Sequence, residues 1–198
     1  MYDLRVIVVD TDPIFRKYIK EKLMNAGHSV VGESSNGRHA LQLIFTIQPD
    51  LVIMSARLPG KDGLEVAKAI EEHRVAPVIL VTEPEKQDEI TEALEDWMIS
   101  YILKPVDETN LLPAIEVCRS IYRKMSRLEE ENRKLKQTLE TRKMVEKAKS
   151  LLMRCKGMSE QEAFKHIQRI SMDKSVPIKK VAKQIITSLD QKKLDTAL

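Results

Sequence analysis

Five polar residues stand at the carboxyl ends of short apolar runs in the first half of the chain. Asp10 offers a carboxylate and Lys104 an ammonium group. The other three, Thr11, Ser55 and Thr82, offer hydroxyls. A Ser hydroxyl is uncharged and needs a neighbouring base before it can attack, and no His accompanies Ser55 in the sequence pattern. Because no nucleophile, base and orienting group come together anywhere in the sequence, we expect a protein that is not an enzyme.

The two cysteines do not form a disulfide framework or a metal site. Cys118 and Cys155 are far apart, and neither has a second Cys or a His at the spacing that metal ligands require. We expect both to be ordinary packed thiols and predict no metal site. The chain shows no signal peptide and no apolar run of 18 or more residues, so we expect a cytoplasmic protein.

The formal net charge of +3 hides an asymmetry between the two halves. Residues 1–123 hold 14 Lys and Arg against 20 Asp and Glu, whereas residues 143–193 hold 13 against 5. A basic segment of this kind favours a polyanionic partner, although a basic helical face is also often just solvated.

The polar residues of the first half must be positioned by an α/β fold. Five short apolar runs alternate with helix-patterned segments, and they occupy residues 5–9, 29–33, 51–54, 77–82 and 101–104. This alternation predicts a five-stranded parallel sheet with helices on both faces. Ligands of such sheets bind beyond the carboxyl ends of the strands, where the polar residues stand.

Four motifs, VIVVDTDP, PDLVIMSARLPGKDGLE, VILVTE and YILKP, together resemble the receiver domain of bacterial two-component response regulators. The resemblance covers residues 3 to about 122 and implies the flavodoxin-like strand order. In receivers, an Asp after the third strand accepts a phosphoryl group, and an acidic pair after the first strand helps to hold Mg²⁺. Asp10 matches the first acid of that pair, Thr82 the conserved hydroxyl and Lys104 the lysine.

Two positions depart from the receiver pattern. Ser55 stands at the acceptor position and Thr11 replaces the second acid, while Asp12 reads as the N-cap of the next helix. We therefore expect a degenerate phosphorylation site, formed by Asp10, Thr11, Ser55, Thr82 and Lys104, with Lys104 paired to Asp10. No cofactor is predicted, and Mg²⁺ is expected to bind poorly. Two alternatives to a degenerate site are that another type of kinase phosphorylates Ser55 and that the Ser at this position is an engineered substitution.

An apolar heptad repeat connects the two halves and predicts a helical coiled coil. It begins at Cys118 and lacks Gly and Pro between residues 114 and 156. A lone Asn in the core of such a repeat favours a parallel two-stranded pairing. We expect a homodimer through Ile121, Met125, Leu128, Asn132, Leu135 and Leu139; the alternative is that the stripe packs on the protein's own receiver.

The second half reads as three helices with a small core. The first helix ends near Gly157, Ser159 and Glu162 form a capping box for the second, and Pro177 precedes the third. The predicted core consists of Val145, Ala148, Leu152, Ala163, Phe164, Ile167, Ile170, Val181, Ala182 and Ile185. Because Phe164 is the one aromatic residue of this segment and is placed in the core, no aromatic platform for base stacking is predicted.

The pattern VEKAKSLLM, followed by GMSEQEAFKHIQRISMDKSVPIKKVAKQI, resembles the ANTAR domain of bacterial antitermination regulators. The resemblance covers about residues 139–189, departs from the pattern at Ser150 and Gln168, and implies binding of hairpin RNA. Basic side chains would contact stem phosphates while polar side chains reach loop bases. The candidate RNA-binding residues are Arg142, Lys143, Lys147, Lys149, Ser159, Gln161, Lys165, Arg169, Lys179 and Lys180.

The sequence thus predicts a receiver-like domain at residues 1–122, a coiled-coil linker at 123–141 and an ANTAR domain at 142–192. The predicted function is transcription antitermination through hairpins in nascent messenger RNA. One alternative is a regulator controlled by a protein partner at the receiver-like domain. Another is a DNA-binding response regulator, which is disfavoured because Pro177 interrupts the turn between the last two helices and the third helix carries few base-reading side chains.

Overall fold

The computed structural model describes residues 3–94 and 99–195, and within them the first half is the expected α/β sandwich. Five parallel strands lie in the order β2-β1-β3-β4-β5, which is the flavodoxin-like order. The strands are β1 (Arg5–Val9), β2 (Ser29–Ser34), β3 (Leu51–Ser55), β4 (Val78–Thr82) and β5 (Ser100–Leu103). The predicted strands agree with these bounds to within one residue at each end.

Helices separate the strands and continue through the second half of the chain. They are α1 (Pro13–Asn25), α2 (Gly37–Ile47), α3 (Gly63–Glu72), α4 (Gln87–Ala93), α5 (Glu108–Lys156), α6 (Glu160–Asp173) and α7 (Ile178–Asp195). A short 3-10 helix at Pro84–Lys86 precedes α4. No helix among the described residues is both long and apolar enough to span a membrane.

The central strands are buried on both faces, as their continuous apolar sequence predicts. Alternate residues of β1 point to opposite sides: Ile7 and Val9 belong to one hydrophobic cluster, and Val6 and Val8 to the other. All five residues of β3 and of β4 are buried. The helices therefore cover both faces and leave the strand ends as the accessible part of the sheet.

Local sequence signals start the helices that surround the carboxyl edge. Asp12 is the N-cap of α1, with its Oδ1 accepting from the Ile14 amide at 2.8 Å, and Pro13 follows in the first turn. Asp62 caps α3 in the same way. A Cβ added to Gly63 would lie 2.0 Å from the carbonyl oxygen of Ser55, so glycine allows α3 to start directly beside the end of β3. The predicted cap of α1 is confirmed.

Helix α5 is continuous over 49 residues. The chain forms two compact units, and the boundary between them along the chain lies between Ser126 and Arg127. The predicted domain boundaries at 122 and 141 both fall inside this helix. Cys118, which the heptad repeat included, is buried in the first unit, and its Sγ lies 3.7 Å from the carbonyl oxygen of Val78. The exposed part of the heptad seam therefore begins at Ile121, because the preceding turns pack against the sheet. Cys155, which was also predicted to be packed, is exposed.

The second unit is a small three-helix domain with its own core. Buried Ala148, Leu152, Ala163, Ile167 and Val181 come from all three helices. The predicted capping box is confirmed, since the Ser159 amide donates to Glu162 Oε2 at 2.8 Å and Ser159 accepts from the Glu162 amide. Gly157 adopts φ +65° just after α5, which is the predicted helix-ending position.

One predicted core residue of this unit is placed differently by the structure. The Phe164 side chain is 43% exposed and is not part of the hydrophobic cluster. The interior of the unit is instead filled from α6 by Ala163, Ile167 and Ile170. Because Phe164 is exposed and lies outside this cluster, its prediction as a core residue was wrong.

Candidate functional site

The carboxyl edge of the sheet brings the predicted receiver residues together. Strand pairing sets Val9 opposite Met54 and Ser55 opposite Val81. The Lys104 amide donates to the carbonyl oxygen of Thr82 at 2.8 Å. The ends of four adjacent strands therefore meet at one edge. Ser55 and Thr82 are the last residues of β3 and β4, Asp10 and Lys104 directly follow β1 and β5, and Thr11 lies exposed beside them.

Asp10 is the buried anion of this edge. It is 2% exposed, and its Oδ1 accepts from the Asp12 amide at 2.8 Å. Its Oδ2 makes no hydrogen bond among the described residues and lies 3.8 Å from Lys104 Nζ. The predicted pairing of Lys104 with Asp10 is thus present as a long ion pair.

A second carboxylate, which the sequence interpretation missed, holds Lys104 from the other side. Lys104 Nζ donates to Glu83 Oε1 at 3.2 Å and lies 5.0 Å from the centre of the Phe15 ring. Burial acts to raise the pKa of Glu83, but the hydrogen bond and the charge of Lys104 hold that pKa below its usual value of 4.5. Glu83 directly follows Thr82, so its position after β4 was the signal that could have identified it.

These side chains fit a Mg²⁺ ion poorly. Magnesium in phosphoryl-transfer sites takes oxygen ligands and is usually held by one or two carboxylates together with phosphate. Here Asp10 is the one carboxylate at the three acidic positions of the receiver pattern, and an ammonium group lies beside its free oxygen. Asp12 uses its carboxylate to cap α1. No group of three or more potential metal ligands of the His, Cys, Asp or Glu type occurs in the described part of the chain.

Ser55 is buried and lacks the charge that a phosphoryl acceptor uses. Its neighbours at the strand ends are Asp10, Thr82 and Lys104, none of which is a His that could act as its base. The carboxyl edge therefore holds Lys104 between two carboxylates and, among the described residues, places no base beside Ser55 that could activate it.

The predicted RNA-binding residues of the second unit divide into two groups. Most of them are exposed, and this group consists of Arg142, Lys143, Lys147, Ser159, Gln161, Lys165, Arg169 and Lys180. Lys149 and Lys179 instead hold helices together: Lys179 Nζ donates to Glu140 Oε2 at 2.7 Å. Ser159 belongs to the capping box, which occupies its hydroxyl.

Lys149 is the most enclosed cation of the set. It is 7% exposed, and its Nζ donates to Glu160 Oε1 at 2.7 Å and to both oxygens of Glu146 at 3.0 Å. The hydrogen bonds to Glu160 and then to Glu146 raise the pKa of Lys149 above 10.5. The charge is satisfied inside the protein, so the structure gives Lys149 a role in joining α5 to α6.

Two further residues of this surface, a lysine and a histidine, were missed by the sequence interpretation. A cleft of about 480 Å³ lies between the end of α5 and α6, where Lys156 and His166 join Lys165 and Arg169; it is also lined by Gly157, Met158 and Glu162. Lys156 directly precedes the helix-ending Gly157. Its position at the end of a helix was the sequence feature that could have identified it.

Family models match both parts of the chain. The response regulator receiver domain matches residues 6–116, and the ANTAR domain matches residues 133–186. The chain belongs to the response regulators that carry a C-terminal ANTAR domain.

Relatives of this response regulator agree with that assignment. The transcriptional regulatory protein PdtaR of Mycobacterium tuberculosis is 37% identical over 185 residues, which are 93% of this chain and 90% of PdtaR. Among solved structures, the receiver domain of NarL from Mycobacterium tuberculosis is 30% identical, with a TM-score of 0.56 over 61% of this chain and 98% of that one. A LuxR-family response regulator from Aurantimonas sp. is 27% identical, with a TM-score of 0.54 over 60% of this chain and 86% of that one.

Proposed function

We propose that this response regulator is a cytoplasmic, homodimeric transcription antiterminator that binds hairpins in nascent messenger RNA. The observation that carries the proposal is the ANTAR match over residues 133–186, since the ANTAR family binds RNA. The relative PdtaR, a transcriptional regulatory protein by name, shares this arrangement over nearly its whole length.

The surface chemistry of the second unit supports RNA as the ligand. Exposed Lys and Arg side chains on α5, α6 and α7 offer contacts to phosphates, and exposed polar side chains offer contacts to bases. Recognition of RNA by sequence mostly targets unpaired loop bases, because the deep major groove of A-form helices is closed to side chains. A small domain with a basic helical surface suits a short stem and its loop.

We further propose that the receiver does not work through the usual phosphorylation and does not use Mg²⁺. Ser55 offers no carboxylate, and Lys104 already bridges Asp10 and Glu83. These ion pairs then hold the edge in one arrangement without a phosphoryl group. In this proposal the RNA-binding unit is active in the unmodified protein.

A signal delivered by a protein partner at the receiver is the second candidate. It is favoured by the same observation, because a receiver without a charged acceptor needs another source of input. A partner of this kind would act on the first unit and release or block RNA binding as its output.

The test is a binding titration of the full chain with a pool of hairpin RNAs and with duplex DNA at several salt concentrations. We expect hairpin-selective binding that weakens as salt rises, because neutralised phosphates release counterions. A preference for duplex DNA, or binding that requires a phosphodonor, would overturn the proposal.

A further inference from the structure

The second unit presents an exposed aromatic ring that lies outside its hydrophobic cluster. Phe164 lies on α6 with 43% of its side chain exposed, outside the hydrophobic cluster of the unit. The sequence contains no other Phe, Tyr or Trp after Tyr122. Contact between a large apolar ring and water is unfavourable. A ligand that covers the ring would remove this apolar surface from water, which favours binding.

The residues beside this ring are two glutamines. Gln161 precedes Phe164 by three positions and Gln168 follows it by four, so both side chains neighbour the ring on the helix surface. Both are exposed, and within the described residues neither side-chain amide makes an internal hydrogen bond. Each amide carries two donors and one acceptor that can pair with the edge of a nucleobase.

Cations continue the same exposed face of α6. Lys165 follows Gln161 by one turn, and Arg169 follows Lys165 by another. Both line the cleft that also contains Lys156 and His166. The acidic residue of that cleft, Glu162, has its carboxylate engaged by Ser159 in the capping box. The face therefore runs from an aromatic ring, through two amides, to a positively charged cleft.

We propose that Phe164 is a stacking platform for one unpaired base of the bound RNA, and that Gln161 and Gln168 hydrogen-bond to the edge of that base. Lys165 and Arg169 then contact the adjacent phosphates. A protein surface that buried Phe164 would also have to cover this charged border, whereas a single-stranded nucleotide supplies both a flat apolar base and an anion. The inference rests on the proposed RNA-binding function and names the residues that read the loop.

The test begins with hairpin RNAs selected by the full-length protein from a pool with randomised loops. Successive loop positions of the selected hairpin are then replaced with 2-aminopurine, whose fluorescence is quenched when the base stacks on an aromatic ring. Titration with the unaltered protein is expected to quench one loop position strongly. This readout needs no substitution, so the absence of a quenched position counts against the proposal even where a variant fails to fold.

The variants are Phe164→Leu, which keeps an apolar side chain but removes the π face, and Phe164→Trp, which keeps it. Loss of a base–aromatic stack is expected to weaken binding of the selected hairpin by about tenfold to a hundredfold in Phe164→Leu, with little loss in Phe164→Trp. The salt dependence of Phe164→Leu is expected to match the unaltered protein, whereas Lys165→Gln reduces the slope by about 0.7–0.9. Met153→Ala changes another exposed apolar residue of the same unit and is the matched control.

Three results overturn the inference. The first is hairpin binding by Phe164→Leu at unaltered affinity, and the second is binding by the unaltered protein with no quenched loop position. The third is a change of oligomeric state in sedimentation for both Phe164 variants, which would assign the ring to a protein contact. Absence of any hairpin binding by the unaltered protein is a different outcome, because it removes the proposed function itself.

Discussion

At the scale of single residues, the carboxyl edge of the sheet shows how the residue at the acceptor position changes the role of the neighbouring lysine. Lys104 lies 3.8 Å from the free oxygen of Asp10 and 3.2 Å from Glu83. In a receiver with an Asp acceptor, such a lysine contacts the phosphoryl group. Here Ser55 brings no charge, so the ammonium group is neutralised by the carboxylates of the protein.

The first prediction concerns this edge. Incubation of the unaltered protein with acetyl phosphate and Mg²⁺ is expected to give no phosphorylated species in intact-mass spectrometry, because the acceptor and one metal-binding carboxylate are missing. The double variant Ser55→Asp with Thr11→Asp restores both carboxylates and is expected to become labelled. A phosphorylated Ser55 peptide from the unaltered protein would contradict the prediction.

The second prediction concerns the enclosed cation of the three-helix unit. Lys149→Met removes the hydrogen bonds that join α5 to Glu160 of α6 and leaves a methyl thioether of similar length, so the melting temperature is expected to fall. Lys143→Met, an exposed cation of the same helix, is the control with little expected change. Equal melting temperatures for the two variants would remove the structural role assigned to Lys149.

The pH dependence of this contribution has a defined sign. The hydrogen bond and charge of Lys149 lower the pKa of Glu160 below 4.5, so that share of the stability is present above pH 4.5 and is lost as pH falls through the lowered value. The pKa of Lys149 is raised above 10.5, so its share is present below pH 10.5 and is lost as pH rises through the raised value. The difference in melting temperature between the protein and Lys149→Met is expected to be largest between these limits.

At the scale of elements, helix α5 combines two different surfaces in one continuous segment. Its first turns are buried against the sheet, where Leu111, Ile115 and Cys118 belong to the core of the first unit. Further along, Leu128 is 50% exposed and Leu135 70% exposed, and both lie on the predicted heptad seam. Exposed leucines at this spacing are typical of a helix that pairs with a second copy.

The third prediction tests that pairing. Replacing Leu128 and Leu135 together with Ala is expected to convert the dimer to monomers at micromolar concentration, as measured by analytical ultracentrifugation, because the seam loses its central contacts. Gln137→Ala, on the opposite side of the same helix, is the control that stays dimeric. Asn132→Leu is expected to strengthen association but to allow larger assemblies. A double Ala variant that remains dimeric would place the main interface elsewhere.

At the scale of the whole molecule, the proposed dimerisation would set how many of the proposed RNA-binding units act together. A homodimer presents two three-helix units, and each can engage one hairpin. Linking two hairpins in one RNA makes the second binding event intramolecular, so its strength depends on the effective concentration that the linker allows. In the second candidate function proposed above, a protein partner at the receiver would control access to these units, since the acceptor position of the receiver is uncharged.

The fourth prediction follows from this arrangement. The unphosphorylated protein is expected to bind a two-hairpin RNA about 10²-fold more tightly than either single hairpin, and the advantage is expected to vanish in the Leu128 and Leu135 double Ala variant. Fluorescence anisotropy with labelled RNAs measures both quantities. Equal affinities for the one- and two-hairpin RNAs in the unaltered protein would argue against a dimer that uses both units at once.

The elements of the fold were predictable because their signals are local. Continuous apolar runs identified the five strands, Asp12 and Pro13 the start of α1, and Ser159 with Glu162 the capping box of α6. The ordered motifs at the strand ends and in the second half identified both domains, which the family models confirm. Each of these features depends on residues within a few positions of one another, so no tertiary contact was needed to read them.

Whether an individual helical side chain is buried or exposed depends on which face of the helix is covered by neighbouring elements. Lys149 reads in sequence as one more basic contact, but the packing of α6 brings Glu160 within 2.7 Å and encloses it. Phe164 reads as core, yet the hydrophobic cluster takes Ala163 and Ile167 from α6 and leaves Phe164 43% exposed. Cys118 fits the heptad, but β4 lies against that turn of α5. Periodicity specifies that a helix has an apolar stripe, whereas the width and direction of the buried face are set by elements distant in sequence.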